Sequence, residues 1–134
     1  MAYGLLKYDE ISNNLGDEIQ SLAARQFLPQ VDVHVRREEL KSFVHEEPVK
    51  MIMNGWYMHS PAQWPPSTSI IPLLTSFHID RSNPEVAKKL LSGEGEHFFR
   101  QYEKPVGVRD LSTLALFTEA KIPAYFSGCL TLTL

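Results

Sequence analysis

The chain has 134 residues with 13 basic and 16 acidic side chains, a formal charge of −3, and is 43% hydrophobic and 22% charged. This length allows one domain with a real core and excludes two complete ones, while the apolar share argues against a disordered chain. No Lys/Arg run long enough to track a phosphate backbone occurs and no segment reaches the roughly 20 apolar residues of a membrane helix, which argues against nucleic-acid binding and membrane spanning.

Residues 3–8 (YGLLKY) form a short apolar run, interrupted at Lys7 and Asp9 before it reaches the length of a signal-peptide core. A polar turn over 9–16 follows. The spacing of Ile19, Leu22, Ala23 and Phe27 then predicts a helix with those four on its buried face, Asp17 as its N-cap and Pro29 as its stop. Val31, Val33 and Val35 alternate with polar residues as in a half-buried strand, and REELKSFV adds a helical turn or two. VKMIMNGW reads as a buried strand ending at Asn54 and Gly55.

The prolines of HSPAQWPPST predict an exposed loop carrying Trp64. IIPLLTSFHI resumes as a strand whose ladder begins after Pro72. A helix starts with Pro84 at its first position and breaks at Ser92 and Gly93. A second follows with Phe98, Phe99 and Tyr102 as its buried side. PVGVRD is a short strand ending at Arg109. LSTLALFTEAK is a helix capped by Asp110, and AYFSG is a last strand. Strands alternating with helices predict an α/β fold, a doubly wound and mostly parallel sheet covered on both faces. The single cysteine, Cys129, forms no internal disulfide and favours a reducing, cytoplasmic setting.

Asn14-Leu15-Gly16-Asp17-Glu18-Ile19, Pro105-Val106-Gly107-Val108-Arg109-Asp110-Leu111-Ser112 and Ser127-Gly128-Cys129-Leu130-Thr131-Leu132-Thr133 occur in that order, two of them at strand-to-helix turns. Together they resemble the N-terminal half of the polysaccharide pyruvyl transferase family. The resemblance implies transfer of pyruvate from phosphoenolpyruvate to two hydroxyls of a saccharide as a ketal, with phosphate released and no cofactor. It implies one Rossmann-like half, residues 1–134, of a two-domain architecture like that of glycosyltransferases of the B type. The final SGCLTLTL reads as leading into further chain, so the expectation is a truncated half-enzyme, a transferase only when a second domain completes it. Self-association or a second-domain partner is expected, with Trp64 and the terminal LTLTL among the contacts. A non-catalytic saccharide-binding module and a glycosyltransferase-like half-domain with a nucleotide-sugar ligand stand as alternatives.

Ligands of open α/β sheets bind beyond the carboxyl ends of the strands. That rule selects Asn14, Gly16, Asp17 and Glu18 after the first strand, where free helix-start amides favour an anion and Asp17 is a catalytic candidate. Asn54, Gly55 and Trp56 end the third strand, Trp56 offering a ring for a sugar. His78 is a candidate acid or base, and Arg109 with Asp110 a carboxylate or phosphate clamp. Ser112 reads as an ordinary helix-start residue and Cys129 as a small buried hydrophobe. His45, Glu46 and Glu47 read as a solvated turn, with no metal site expected.

Overall fold

The computed structural model describes residues 1–8 and 14–134, so most of the turn expected over 9–16 lies outside the described residues. Six strands, β1 (Ala2–Lys7), β2 (Val33–Arg36), β3 (Val49–Tyr57), β4 (Ile70–Ile79), β5 (Val106–Val108) and β6 (Ala124–Phe126), occur with four helices among those residues, and only short 3-10 turns stand between β2, β3 and β4, where the expected alternation with helices lapses. The helices are α1 (Leu15–Arg25), α2 (Pro84–Leu91), α3 (Glu94–Arg100) and α4 (Leu111–Glu119). The strands pair in the order β2-β1-β3-β4-β5-β6, every pair parallel, which is consistent with a Rossmann-like fold. Strand order reverses between β1 and β3, and in such sheets the crevice beyond that reversal is the usual ligand position.

Period-2 alternation sends Leu6, Met51, Met53, Phe77, Val106 and Val108 to one face, where they join Leu90, Phe98, Phe99 and Phe117 from α2, α3 and α4 in the main core. Leu5 and Ile52 point to the other face and meet Ala24 of α1 in a small second cluster. Pro72 stands inside β4, earlier than the ladder was expected to start. Residues 70–74 of β4 pair with β3, and β5 joins β4 only at Phe77↔Val108, so this stretch of β4 is an edge that tolerates a residue without an amide hydrogen. At Gly95 an added Cβ would lie 2.3 Å from the Leu90 carbonyl oxygen, so only glycine allows α3 to start this close to the end of α2.

Four expectations are corrected. Trp64 is fully buried rather than displayed on a loop. A short 3-10 turn over Pro61–Gln63 directs it inward, where its ring meets Tyr57, Phe77, Phe98 and Phe99 at centroid distances of 5.6, 5.6, 5.1 and 5.5 Å. The buried face of α1 is Asp17, Gln20, Ser21, Ala23 and Ala24, while Leu22 and Phe27 are each 55% exposed. Polar side chains turn inward there because each finds a partner, as when the Ser21 hydroxyl donates to the Leu6 carbonyl at 2.7 Å. The cap of α1 is Asn14 and not Asp17. Among the described residues, the second face of the sheet is packed by α1 over β1 and β3 rather than across its whole width. Beside the end of α1, Ile71 and Leu73 stay exposed along an apolar groove of about 240 Å³.

Candidate functional site at the carboxyl edge of the sheet

Every candidate site residue falls at the carboxyl end of a strand or the first turn of the helix after it, so all share one edge of the sheet. Two groups form there. The first gathers around Arg37, which follows β2 and is 2% exposed. Its Nη1 lies 3.3 Å from Asp17 Oδ2 and its Nε donates to Glu38 Oε2 at 2.8 Å. The guanidinium carbon sits 4.7 Å from the ring centroids of both Tyr8 and Trp56. Burial pushes the Tyr8 hydroxyl up to about 12, keeping the phenol neutral beside this charge. Trp56 therefore has Arg37 over its ring, and the exposed His59 meets it edge to face at 4.5 Å.

Asn14 caps α1 by accepting from the Gly16 amide at 2.9 Å, and its carbonyl accepts from the Asp17 amide at 3.1 Å. Those two helix-start amides are thus already occupied, which weakens the expected anion site at this helix. Glu18 is exposed beside them. Asn54 is 1% exposed. Its Nδ2 donates to the Gln20 carbonyl and to Gln20 Oε1 at 3.0 and 3.1 Å, so it ties β3 to α1. Gly55, at φ +85°, lies against the Gln20 side chain, where any Cβ would meet Gln20 Cγ at 3.4 Å.

The second group stands at the ends of β4 and β5. His78 Nδ1 lies 2.5 Å from Asp110 Oδ2, and Asp110 Oδ1 accepts from the Thr113 amide at 2.8 Å and the Ser112 hydroxyl at 2.9 Å. Asp110 thus caps α4 and orients the imidazole together. Burial alone would raise the Asp110 carboxyl, but the Thr113 and Ser112 hydrogen bonds and the His78 ring outweigh it and hold it at about 2. Desolvation, then the Arg109 charge, lowers His78 from its ordinary value against the opposing pull of Asp110. At neutral pH the ring is neutral. With Nδ1–H directed at the carboxylate, Nε2 carries the lone pair, so His78 is equipped as a base rather than an acid. Arg109 Nε lies 3.6 Å from Asp110 Oδ2, and its side chain is 27% exposed.

Cys129 lies against Gln20 of α1. Its Sγ accepts from Gln20 Nε2 at 3.2 Å and contacts Thr131 Oγ1 at 2.9 Å, so the half-buried thiol sits among polar partners rather than in apolar packing. Burial opposes its ionisation, yet the Thr131 and Gln20 bonds and the Arg109 charge lower its pKa. The other cluster weighed from the sequence stays apart: Glu47 pairs with the amino terminus at 2.6 Å and His45 turns back onto the Glu47 carbonyl at 3.0 Å. Among the described residues no group of three or more His, Cys, Asp or Glu is placed to hold a metal ion. Arg37, Gln20 and Thr113 escape sequence reading. The one signal for Gln20 is a polar residue at helical spacing from Asp17 and Ala24, and Arg37 has none beyond following a strand.

The sign of the His78–Asp110 coupling is testable. In an NMR titration the His78 ring protons are expected to report a pKa below the ordinary 6.5. Because Asp110 contributes a raising charge and hydrogen bond, Asp110→Asn is expected to move that pKa lower still. An upward move in the Asn variant would show that Asp110 does not face the imidazole in solution. Comparison with protein-family models, curated proteins and solved structures returns no match.

Proposed function

We propose that this chain is the saccharide-binding half of a pyruvyl transferase-like enzyme of two Rossmann-like domains, the sheet's carboxyl edge facing the acceptor sugar and phosphoenolpyruvate. The observation that carries the reading is the 2.5 Å His78–Asp110 pair standing next to Arg109 on adjacent strand ends. His78 Nε2 takes the proton of a sugar hydroxyl as its oxygen bonds to carbon 2 of the donor, and water returns one proton to the donor's methylene carbon, which becomes a methyl group. A second hydroxyl then bonds to the same carbon and displaces phosphate, which carries away that hydroxyl's proton, and the ketal closes. Arg109 supplies a planar cation for the donor's carboxylate or phosphate. Asp17, bonded to buried Arg37, serves this edge as an anchor of α1 rather than as a proton donor.

Titration of the ¹⁵N-labelled chain with phosphoenolpyruvate and, separately, with methyl hexopyranosides tests the proposal. Amide shifts are expected at residues 14–18, 54–56 and 109–113. Arg109→Ala is expected to weaken phosphoenolpyruvate binding about tenfold or more, the scale of one charge-assisted bond of about 1.5–3 kcal/mol. Binding that maps to the opposite end of the sheet, or no binding of either compound at millimolar concentration, would overturn the reading.

A further inference from the structure

We propose that Arg37 is a positioning residue for saccharide recognition, holding Trp56, and through it the exposed His59, in the arrangement a sugar ring meets; this rests on the saccharide reading above. Four segments converge on the one guanidinium. They are the end of β1 through Tyr8, the first turn of α1 through Asp17, the end of β3 through Trp56, and the loop after β3 through Glu38, which accepts from the His59 and Ser60 amides at 3.2 and 2.6 Å. Nη1 also lies 3.5 Å from the Trp56 carbonyl oxygen. The side chain thus fixes both the ring and the backbone of Trp56, and the amide of the histidine that packs against that ring.

The chemistry selects arginine for this place. A planar group can lie between two aromatic faces while its edge reaches two carboxylates, whereas an ammonium offers a point charge and no face. A buried charge cluster is weak evidence of a gain in stability, since apolar replacement of such clusters is often neutral or stabilising. What the arrangement provides is a single orientation of a half-buried indole beside an exposed imidazole, at the strand-order reversal where ligands of such sheets bind. A sugar ring packs on aromatic surface, and its affinity rises when that surface is held in place before binding.

The test compares Arg37→Lys, Trp56→Phe and His59→Ala with the parent chain. It uses near-ultraviolet circular dichroism for the indoles, thermal unfolding for the fold and titration with methyl hexopyranosides for binding. Trp56→Phe identifies the Trp56 band, and Trp64, deep in the core, serves as the internal reference. Arg37→Lys is expected to halve the Trp56 band or more, leave the Trp64 band in place and weaken saccharide binding about tenfold. His59→Ala, at an exposed position, is expected to weaken binding about threefold or more. A Trp56 band unchanged in Arg37→Lys, or saccharide affinity unchanged in Arg37→Lys or His59→Ala, overturns the positioning role while leaving the saccharide reading intact. A parent chain that binds no saccharide overturns both, and the Trp56 band still reports whether Arg37 holds the ring.

Discussion

Arg37→Ala is expected to destabilise the fold by about 3–5 kcal/mol, the range found when one partner of a buried ion pair is removed. A domain of ordinary stability has about 5–15 kcal/mol in all, so this one change removes a large share of it. The loss has two sources. The Asp17 and Glu38 side chains, 9% and 10% exposed, lose the cation that both contact. In addition the Tyr8 and Trp56 rings lose the group that packs between them. Glu38 retains the His59 and Ser60 amides as donors, and in an Asp17 variant Arg37 retains Glu38. Asp17→Asn alone is therefore expected to cost less than Arg37→Ala, and the Arg37→Ala/Asp17→Asn double variant less than the sum of the two singles. Urea unfolding of the four proteins checks this. Additive losses would show that Arg37 and Asp17 do not interact in solution, and an Arg37→Ala loss below about 1 kcal/mol would show that the cluster is solvated.

The strand and helix pattern was legible because each element's own residues encode it. Pro84 at a helix start, Asp110 three residues before the Thr113 amide it caps, and apolar runs such as VKMIMNGW are local signals, and the structure places those elements there. Partnership between distant segments was not legible. The sequence rule that apolar side chains turn inward misorients α1, because Asp17, Gln20 and Ser21 gain Arg37, Asn54 with Cys129, and the Leu6 carbonyl as buried partners. Those partners lie between 15 and 109 residues away, beyond the reach of any periodicity. For the site, the rule that ligands meet strand ends points to the edge where the structure brings His78, Asp110 and Arg109 together. Arg37 carries no such signal, because a lone arginine after a short strand reads the same whether it faces solvent or stands 2% exposed between two rings. Trp64 failed for a related reason, since a proline-rich loop says how the backbone runs and nothing about which side chain turns back beneath it.

Trp64→Ala is expected to cost about 3–5 kcal/mol, the range for truncating a large buried aromatic to alanine. The indole is fully buried and forms the hub of an aromatic cluster, with edge-to-face contacts to Tyr57, Phe77 and Phe98 and a tilted contact to Phe99. Those rings come from β3, β4 and α3, so the void left by alanine would be bounded by elements already paired into the sheet or packed on it, and little collapse can fill it. Trp64→Phe separates packing from polarity. The indole Nε1 finds no acceptor among the described residues, so phenylalanine removes an uncompensated buried donor along with part of the ring volume. Its loss is expected to be less than half that of alanine. Urea unfolding of both variants decides the matter. Equal losses would mean that Nε1 has a partner whose removal costs as much as the missing ring. An alanine variant within about 1 kcal/mol of the parent would return Trp64 to the exposed loop that its prolines imply.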